Sequence, residues 1–361
     1  MNVFEENRNM KLLILTQKVD ANDHGVLGFF HGWLKEFAKD CENVIVVCLE
    51  KGEFDLPENV KVLSLGKETW ESKIKYLYRF YKYIIKYRKD YDAVFVHMNQ
   101  IYVILGALLW KAWKKKIGLW YAHGATPFSL KVAEKLTDMI FTPSKKSFRV
   151  KSKKLNVVGH GIDMNKYQLK SHNKKSELCE ILTVGRISPI KDYETLIRAM
   201  EKLSKKERYK HKIILRIVGS PITEEQKKYF DKIKKKVREK GLSDIIKFTG
   251  GVSCKDIHSV YKESDIFIHM SQTGSLDKAM LEAMATGLTV LSCNDAAREV
   301  FGENNCDLLY NMADYEDLAE KMQYIIDNQD RDGDLGESLR QIVEKKHNLI
   351  NVIRRICTKL S

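Results

Sequence analysis

Residues 267–292 read FIHMSQTGSLDKAMLEAMATGLTVLS, and the fold class follows from them. The segment opens with a short apolar run, turns near Gly274, continues through small and apolar residues and resumes as a second short run after Gly287. Two β-rich runs that flank a helix-length segment are typical of a parallel β-α-β unit. Gly287 stands just past the predicted helix, where helices favour a glycine in the left-handed conformation.

The same alternation recurs along the whole chain. Short apolar runs are separated by helix-length amphipathic segments, which indicates a doubly wound α/β fold with parallel strands. The runs are Leu12–Leu15, Val44–Leu49, Val60–Leu65, Ala93–Val96, Ile117–Ala122, Met139–Thr142, Val157–Val158, Ile181–Val184, Ile213–Val218, Ile245–Phe248, Ile266–His269 and Thr289–Ser292. Because a polar stretch without periodicity occupies 168–178, we predict one domain over 1–170, a second over 171–340 and a separate basic amphipathic helix over 341–361.

The composition is that of a globular chain. Of 361 residues, 44% are apolar and 30% charged, which excludes collagen-like and disordered classes. The seven cysteines form no C-x-x-C pair, as is typical of reduced thiols in the cytosol. No apolar run approaches the ~18 residues that a membrane span needs, and the first fifteen residues do not resemble a secretory signal. We therefore expect a cytoplasmic chain.

A net charge of +14 favours an anionic partner. The excess lies in 1–170, which holds 29 Lys and Arg against 18 Asp and Glu. Two segments, 70–91 and 108–120, interleave these cations with aromatic residues. We expect 70–91 to be mostly core and the patch from Trp110 to Lys116 to contact anionic lipid on the inner face of the cell membrane. Nucleic acid is a third interpretation, but no recognition motif accompanies the charge, so no nucleic-acid partner is predicted.

Ligands of open α/β sheets bind beyond the carboxyl ends of the strands, so we expect the ligand-binding side chains at these positions. The segment TVGRISPIKDYETLIRAM (183–200) places Gly185 and Arg186 directly after a predicted strand, with Lys191 just before a helix. A guanidinium and an ammonium at such an edge suit a diphosphate. The alternative is a surface turn with a cation near an acidic helix start.

The helix that follows Gly274 offers a second ligand site. Its first amides could hold an anion, and Lys278 and Glu282 share one face. A carboxylate among small apolar residues is costly without a polar partner, so Glu282 is predicted to accept hydrogen bonds from the two hydroxyls of a ribose. The alternative is an exposed Lys278–Glu282 pair, which would stabilise the helix by only ~0.3 kcal/mol.

In combination, these motifs resemble a known family. Gly-Arg-x-x-x-x-Lys-Asp at 185–192, LEAMATGLTVLS at 281–292 and AAREV at 296–300 are similar to the retaining, nucleotide-sugar-dependent glycosyltransferases of glycosyltransferase family 4. The resemblance implies the GT-B fold, in which two Rossmann-like domains face a central cleft and a C-terminal helix returns to the first domain. It also implies a nucleotide-diphosphate sugar as donor substrate and no metal cofactor.

The resemblance implies roles for individual residues. Arg186 and Lys191 would bind the donor diphosphate, His123 would contact the donor sugar, and these three form the predicted catalytic set. The predicted donor-binding residues are Glu282, Gly274, Ser275, Leu276, Asp277, Lys278, Gly219, Gly251, Val252 and Gly28. Gly219, Gly251 and Val252 would border the base, and Gly28 belongs to a glycine loop with Gly25 and Gly32.

One position departs from the family. The usual pattern is Glu, seven residues, then Glu, and the first position here is Gly274. The contact from that first Glu to a donor-sugar hydroxyl is therefore missing, and either the backbone amides of 273–278 or Asp277 could replace it.

The predicted activity is the transfer of a hexose-type sugar, with retention at the anomeric carbon, to a glycan or lipid-linked acceptor in the assembly of bacterial cell-surface polysaccharide or glycolipid. No general base is assigned, since the leaving phosphate oxygen can take the acceptor proton. The alternatives are a GT-B sugar-nucleotide epimerase and a non-catalytic subunit that binds glycan or lipid.

Overall fold

The computed structural model describes residues 10–23, 27–170, 178–271, 274–328 and 332–361. The chain divides into two compact units: unit 1 is Met1–Asp163 with His347–Ser361, and unit 2 is Met164–Lys346. The sequence predicts these boundaries at residues 170 and 340.

Unit 1 is built on a seven-stranded parallel sheet. Its strands are β1 (Lys11–Val19), β2 (Asn43–Lys51), β3 (Val60–Ser64), β4 (Ala93–His97), β5 (Lys116–Trp120), β6 (Met139–Thr142) and β7 (Leu155–Val157). The strand order is β3-β2-β1-β4-β5-β6-β7, and every neighbouring pair is parallel. The order reverses between β1 and β4, as in Rossmann-like folds.

Helices cover both faces of this sheet. They are α1 (Phe30–Asp40), α2 (Lys73–Lys86), α3 (Ile101–Ala112), α4 (Phe128–Leu136) and α12 (Leu349–Leu360). The apolar side chains of α1 and α12 pack on one face, and those of α2, α3 and α4 pack on the other. The central strands are consequently buried on both sides, which explains why they read as continuous apolar runs.

Unit 2 repeats this plan with a five-stranded parallel sheet. Its strands are β8 (Cys179–Val184), β9 (Ile213–Val218), β10 (Ile246–Gly250), β11 (Ile266–His269) and β12 (Thr289–Ser292), in the order β10-β9-β8-β11-β12. Its helices are α5 (Tyr193–Ser204), α6 (Glu224–Glu239), α7 (Ile257–Glu263), α8 (Lys278–Ala285), α9 (Asp295–Phe301), α10 (Tyr315–Asp327) and α11 (Asp332–Lys346). The order of the strands reverses between β8 and β11.

The structure confirms the predicted α/β class, with two Rossmann-like parallel sheets. Each of the twelve apolar runs overlaps a strand. The predicted end of helix α8 is also confirmed, since Gly287 has φ +85° and its N–H donates to the carbonyl of Met284. The N–H of Leu288 donates to the carbonyl of Ala283, which completes a Schellman motif.

The C-terminal part of the chain contains two helices. Residues 341–346 belong to α11 of unit 2, whereas α12 belongs to unit 1 and packs on α1 and β5. The segments that lead into and out of unit 2 pair within unit 1. The N–H of Ile162 donates to the carbonyl of His347 at 2.7 Å, and the N–H of Leu349 donates to the carbonyl of Ile162 at 2.9 Å.

The burial of the two basic aromatic segments, 70–91 and 108–120, differs from the prediction. Trp110 and Trp120 are fully buried in the core of unit 1, so the patch from Trp110 to Lys116 is not the aromatic surface that we expected. Conversely, only Phe80 and Ile84 of helix α2 are fully buried, and much of the segment 70–91 is exposed. Periodicity shows that a helix has an apolar face but does not tell which of two apolar faces meets the sheet. None of the helices in the described parts of the chain has the length and apolar character to cross a membrane.

Candidate functional site

The carboxyl edge of the unit 2 sheet brings together three glycine-bearing strand ends. The N–H of Gly185 donates to the carbonyl of Val218, and the N–H of Gly219 donates to that of Gly250. Gly219 has φ +146°, and a Cβ atom there would lie 1.9 Å from the carbonyl oxygen of Gly185. Only glycine fits this position, so the backbones that follow β8 and β9 approach each other closely without side chains, next to the point where the strand order reverses, which is the usual ligand position in such sheets.

Lys191 lies over this edge. A Cβ atom on Gly185 would be 3.5 Å from its Nζ atom. A short 3₁₀ turn at Pro189–Lys191 positions the side chain, and Asp192 then caps α5 by accepting from the N–H of Thr195. The ammonium is thus held at the end of β8 by local chain geometry.

Lys191 is paired with Asp277, which precedes α8. Its Nζ atom lies 2.6 Å from Oδ2 of Asp277, and both side chains are largely shielded from solvent. Burial opposes ionisation of Asp277, but the charge of Lys191 and the hydrogen bonds from His269 and Lys191 outweigh it, so the pKa of this carboxyl lies well below its usual range. The Asp277 carboxyl is therefore ionised at neutral pH.

His269, the last residue of β11, completes a chain of polar contacts. Its Nε2 atom lies 3.4 Å from Oδ2 of Asp277, and its Nδ1 atom lies 2.9 Å from Oγ of Ser292. Burial, with a smaller contribution from the charge of Lys191, lowers the pKa of His269 although Asp277 opposes this. A neutral ring facing a carboxylate through Nε2 carries its proton there, so Nδ1 accepts from the hydroxyl of Ser292.

Glu282 is held on helix α8 by a buried tyrosine. The hydroxyl of Tyr261 donates to Oε2 of Glu282 at 3.1 Å, and Nζ of Lys278 lies 3.8 Å from Oε1. Burial and the charge of Glu282 raise the pKa of Tyr261 well above its ordinary value, so the hydroxyl remains a donor. The alternative Lys278–Glu282 pair is present. The Glu282 carboxylate also has Tyr261 as the buried polar partner that an enclosed carboxylate requires.

Arg186 differs from these residues because its side chain is exposed, and no described residue forms an ion pair with it. Gly251 and Val252 follow β10 on the same edge of the sheet, and a Cβ atom on Gly251 would lie 3.4 Å from Oγ of Ser220. The positions predicted for the diphosphate and the base therefore occupy neighbouring strand ends of one unit.

The run 274–278 leads into α8. Asp277 caps the helix, since its Oδ1 atom accepts from the N–H of Ala279 at 3.3 Å. This carboxylate already occupies one of the amides that we expected to hold an anion. The carbonyl of Ser275 accepts from the side chain of Asn294 at 3.0 Å, and Leu276 is buried, so its side chain belongs to the core. Thr273 lies outside the described residues.

The remaining predicted residues belong to unit 1. His123 is exposed in the loop after β5, where its Nδ1 atom accepts from the N–H of Ala125 at 3.0 Å. Gly28 lies in the turn before α1, and Gly25 lies outside the described residues. His97, at the end of β4, is buried and stacked on Phe30 with ring centroids 4.0 Å apart, as expected of a structural histidine.

His269 and Tyr261 were not among the site residues predicted from the sequence. A histidine that ends the apolar run Ile266–His269 was a usable signal, because a buried imidazole needs polar partners. Tyr261 carried no signal, since a tyrosine in an amphipathic helix is ordinary core. No group of three or more His, Cys, Asp or Glu side chains in the described parts of the chain could hold a metal ion.

Curated relatives are similar to about half of the chain. Mannosylfructose-phosphate synthase of Agrobacterium fabrum is 24% identical over 48% of this chain, and sulfoquinovosyl transferase of Arabidopsis thaliana is 25% identical over 49%. The matches span 40% and 32% of those proteins, so the chain covers less than half of their length.

Solved structures share the fold over nearly the whole chain. HepE of Anabaena in complex with UDP has a TM-score of 0.76 at 18% identity and covers 97% of this chain and 99% of its own. Sucrose-phosphate synthase of Thermosynechococcus elongatus has a TM-score of 0.74 at 15% identity, with 97% and 98% covered. The two Rossmann-like units are those of the GT-B fold.

A family model described as "Glycosyl transferases group 1" matches residues 165–345, which is half of the chain and nearly all of unit 2. That region holds Lys191, Asp277 and Glu282 together with the glycine-lined strand ends. The chain therefore belongs to the group 1 glycosyl transferases, in agreement with the resemblance to glycosyltransferase family 4.

Proposed function

We propose that this protein is a glycosyltransferase that binds a nucleotide-diphosphate sugar through unit 2. The observation that carries the proposal is the position of Lys191 over Gly185 at the end of β8, beside the reversal of strand order between β8 and β11. A cation above backbone that is free of side chains suits a diphosphate, which needs both charge neutralisation and close approach. HepE, which shares the fold, was solved with UDP, and this supports the same donor class here.

The other donor contacts follow from this placement. Arg186 carries an exposed guanidinium next to Gly185 and would form the second diphosphate contact. Glu282 would accept from the ribose hydroxyls, with Tyr261 fixing its orientation. Gly219, Gly251 and Val252 would border the base, Gly274 and Ser275 would offer backbone groups, and His123 and Gly28 of unit 1 would contact the donor sugar and phosphate.

The chemistry we infer needs stabilisation of a leaving group more than a base. Breaking the bond between the anomeric carbon and the phosphate oxygen leaves positive charge on the sugar ring and negative charge on the diphosphate. Arg186 and Lys191 would stabilise that negative charge with preorganised cations. The acceptor oxygen forms the new bond to the anomeric carbon, and its proton passes to the leaving phosphate oxygen. Because the acceptor then attacks from the same side as the leaving group, the configuration is retained. No metal ion takes part in this step.

The acceptor and setting extend this proposal. We infer transfer of a hexose-type sugar to a glycan or lipid-linked acceptor, in the assembly of bacterial cell-surface polysaccharide or glycolipid. Support comes from the net charge of +14, which favours anionic acceptors or membranes. If no metal takes part, addition of EDTA should leave the transfer rate unchanged, and a loss of activity restored by Mg²⁺ or Mn²⁺ would refute that part.

Thermal shift with UDP, GDP and ADP tests the donor site. A ligand at 100 times its Kd adds about 2.7 kcal/mol to the free energy of unfolding, which a melting curve resolves. Arg186→Ala, Lys191→Met and Glu282→Ala should each reduce the rise in melting temperature. Arg238→Ala, an exposed arginine on α6, is the matched control and should respond like the native chain.

Two results would contradict the proposal. If the site variants respond like the control, the donor site lies elsewhere. If a nucleotide sugar binds but its diphosphate is released at the same rate with and without acceptors, the alternatives of an epimerase or a non-catalytic subunit are favoured.

A further inference from the structure

Helix α2 of unit 1 exposes a second apolar face. Phe80 and Ile84 are buried against the sheet, yet Ile74, Tyr78 and the preceding Trp70 are 80%, 66% and 95% exposed. At 100° per residue, the exposed apolar side chains of α2 fall within a stripe about 100° wide. The stripe consists of Ile74, Leu77, Tyr78 and Ile85.

Trp70 lies just before the start of the helix, four residues from Ile74. It lies between a 3₁₀ turn, Lys67–Thr69, and the cap residue Ser72, and its backbone φ is +55°. The side chain of Ser72 accepts from the N–H of Lys75, which fixes the start of α2. An almost fully exposed indole next to an apolar stripe is unusual on the surface of a globular protein and marks an interaction site.

The charges on α2 itself are all positive, although Lys75 and Arg79 both pair with Glu71, which precedes the helix, at 3.8 Å and 2.8 Å. Helix α2 contains four lysines and one arginine and no carboxylate, and its neighbour α3 contains one lysine and no carboxylate. Lys75, Lys82 and Lys86 are exposed and follow one edge of the apolar stripe. The neighbouring helices add three exposed apolar side chains, Ile101 and Leu108 on α3 and Phe128 on α4.

The three helices form one layer. The rings of Phe80 and Tyr102 are stacked with centroids 5.8 Å apart, and the hydroxyl of Tyr81 donates to the carbonyl of Leu105 at 3.1 Å. The side chain of Gln100 donates to the hydroxyl of Ser129 at 2.9 Å, which ties α3 to α4. The outer surface of α2 is therefore part of a packed layer rather than of a loosely attached segment.

We propose that Trp70 and the exposed stripe of α2, flanked by Lys75, Lys82 and Lys86, bind the surface of an anionic phospholipid bilayer. Tryptophan and tyrosine favour the boundary between headgroups and acyl chains, where an apolar ring and a polar tip are both satisfied. Lysines at the edge of the stripe reach anionic headgroups with their amines while their methylene chains lie against the apolar surface. This places the proposed membrane contact on α2 instead of on the buried Trp110.

Vesicle flotation of the full chain tests the surface independently of donor binding. The native chain should float with vesicles of phosphatidylcholine containing 30 mol% phosphatidylglycerol at low salt, and much less with phosphatidylcholine alone. The variant Trp70→Ala with Ile74→Gln should bind at least tenfold more weakly. A variant with glutamine at positions 75, 82 and 86 should lose the preference for phosphatidylglycerol.

The matched control changes one exposed isoleucine and one exposed lysine of unit 2, Ile222→Gln with Lys228→Gln, and should bind like the native chain. Melting temperatures of all variants should match within about 2 °C, because only exposed side chains change. A native chain that fails to float with anionic vesicles, or a Trp70 variant that floats as well as the control, overturns the proposal. Single-stranded RNA, added at a total negative charge equal to that of the vesicles, should not displace the chain. Displacement would also overturn the proposal, in favour of nucleic acid.

Discussion

Nζ of Lys191 lies 2.6 Å from Oδ2 of Asp277, so the cation proposed to bind the donor diphosphate has a carboxylate partner. Incoming phosphate oxygens would have to share or replace that partner. The pair also joins the end of β8 to the start of α8, the two segments on which the family resemblance rests.

Asp277→Asn should therefore tighten the binding of UDP or GDP. Asparagine still caps α8, and the Lys191 ammonium, no longer paired with a carboxylate, is free to bind the diphosphate, which favours binding by ~1.4 kcal/mol, or about tenfold. Isothermal titration measures the change. The gain should vanish when Lys191→Met is added, because the carboxylate then has no ammonium to neutralise. A tenfold loss on Asp277→Asn would instead mean that the carboxylate positions Lys191.

Tyr261→Phe should weaken UDP binding about three- to tenfold by releasing the Glu282 carboxylate. A hydrogen bond to a charged group contributes ~1.5–3 kcal/mol, and part of this appears as lost stability. Pyrophosphate has no ribose, so its affinity should not change in this variant. Tyr324→Phe removes an exposed hydroxyl from α10 and serves as the control. Equal losses for UDP and pyrophosphate would contradict the role of Glu282 at the ribose.

His269→Gln should flatten the acid side of the stability profile. Because the folded state holds His269 neutral with a lowered pKa, the unfolded chain binds more protons, and stability falls as the pH drops below the ordinary histidine value of ~6.5. Asp277 has a depressed pKa, so its contribution is present above ~4 and disappears only on further acidification. Between pH 7 and 5 the melting temperature of His269→Gln should decline less steeply than that of the native chain. His211→Asn, which changes an exposed histidine, should keep the native slope.

Gly219→Ala should lower the free energy of unfolding by ~3 kcal/mol. Its Cβ atom would collide with the carbonyl oxygen of Gly185, and its positive φ adds strain. Gly241 also has a positive φ, +65°, but no atom lies within 4 Å of a Cβ placed there, so Gly241→Ala should cost only ~1 kcal/mol. Urea denaturation compares the two. Equal costs would show that the backbone conformation, rather than the close approach to Gly185, requires glycine at 219.

The fold was accessible from sequence because parallel strands buried on both faces leave continuous apolar runs, as in Val44–Leu49 and Ile213–Val218. Glycines after those runs predicted a ligand edge, and Lys191 and Glu282 were predicted as site residues in this way. The partners of these residues were not, since the Lys191–Asp277 contact joins side chains 86 positions apart and the Tyr261–Glu282 contact joins two helices. The exposed face of α2 was misjudged for a similar reason: its two apolar faces are alike in sequence, and only the position of the sheet distinguishes them.

The pairing of Ile162 with His347 and Leu349 makes unit 2 an insertion into unit 1. On the ribosome, every residue of unit 2 is synthesised before the helix Leu349–Leu360 that supplies six buried side chains to unit 1. The inserted unit can thus finish folding while one face of the earlier sheet still awaits its last helix. An early translational stop near residue 346 would release an intact inserted unit attached to an incomplete host.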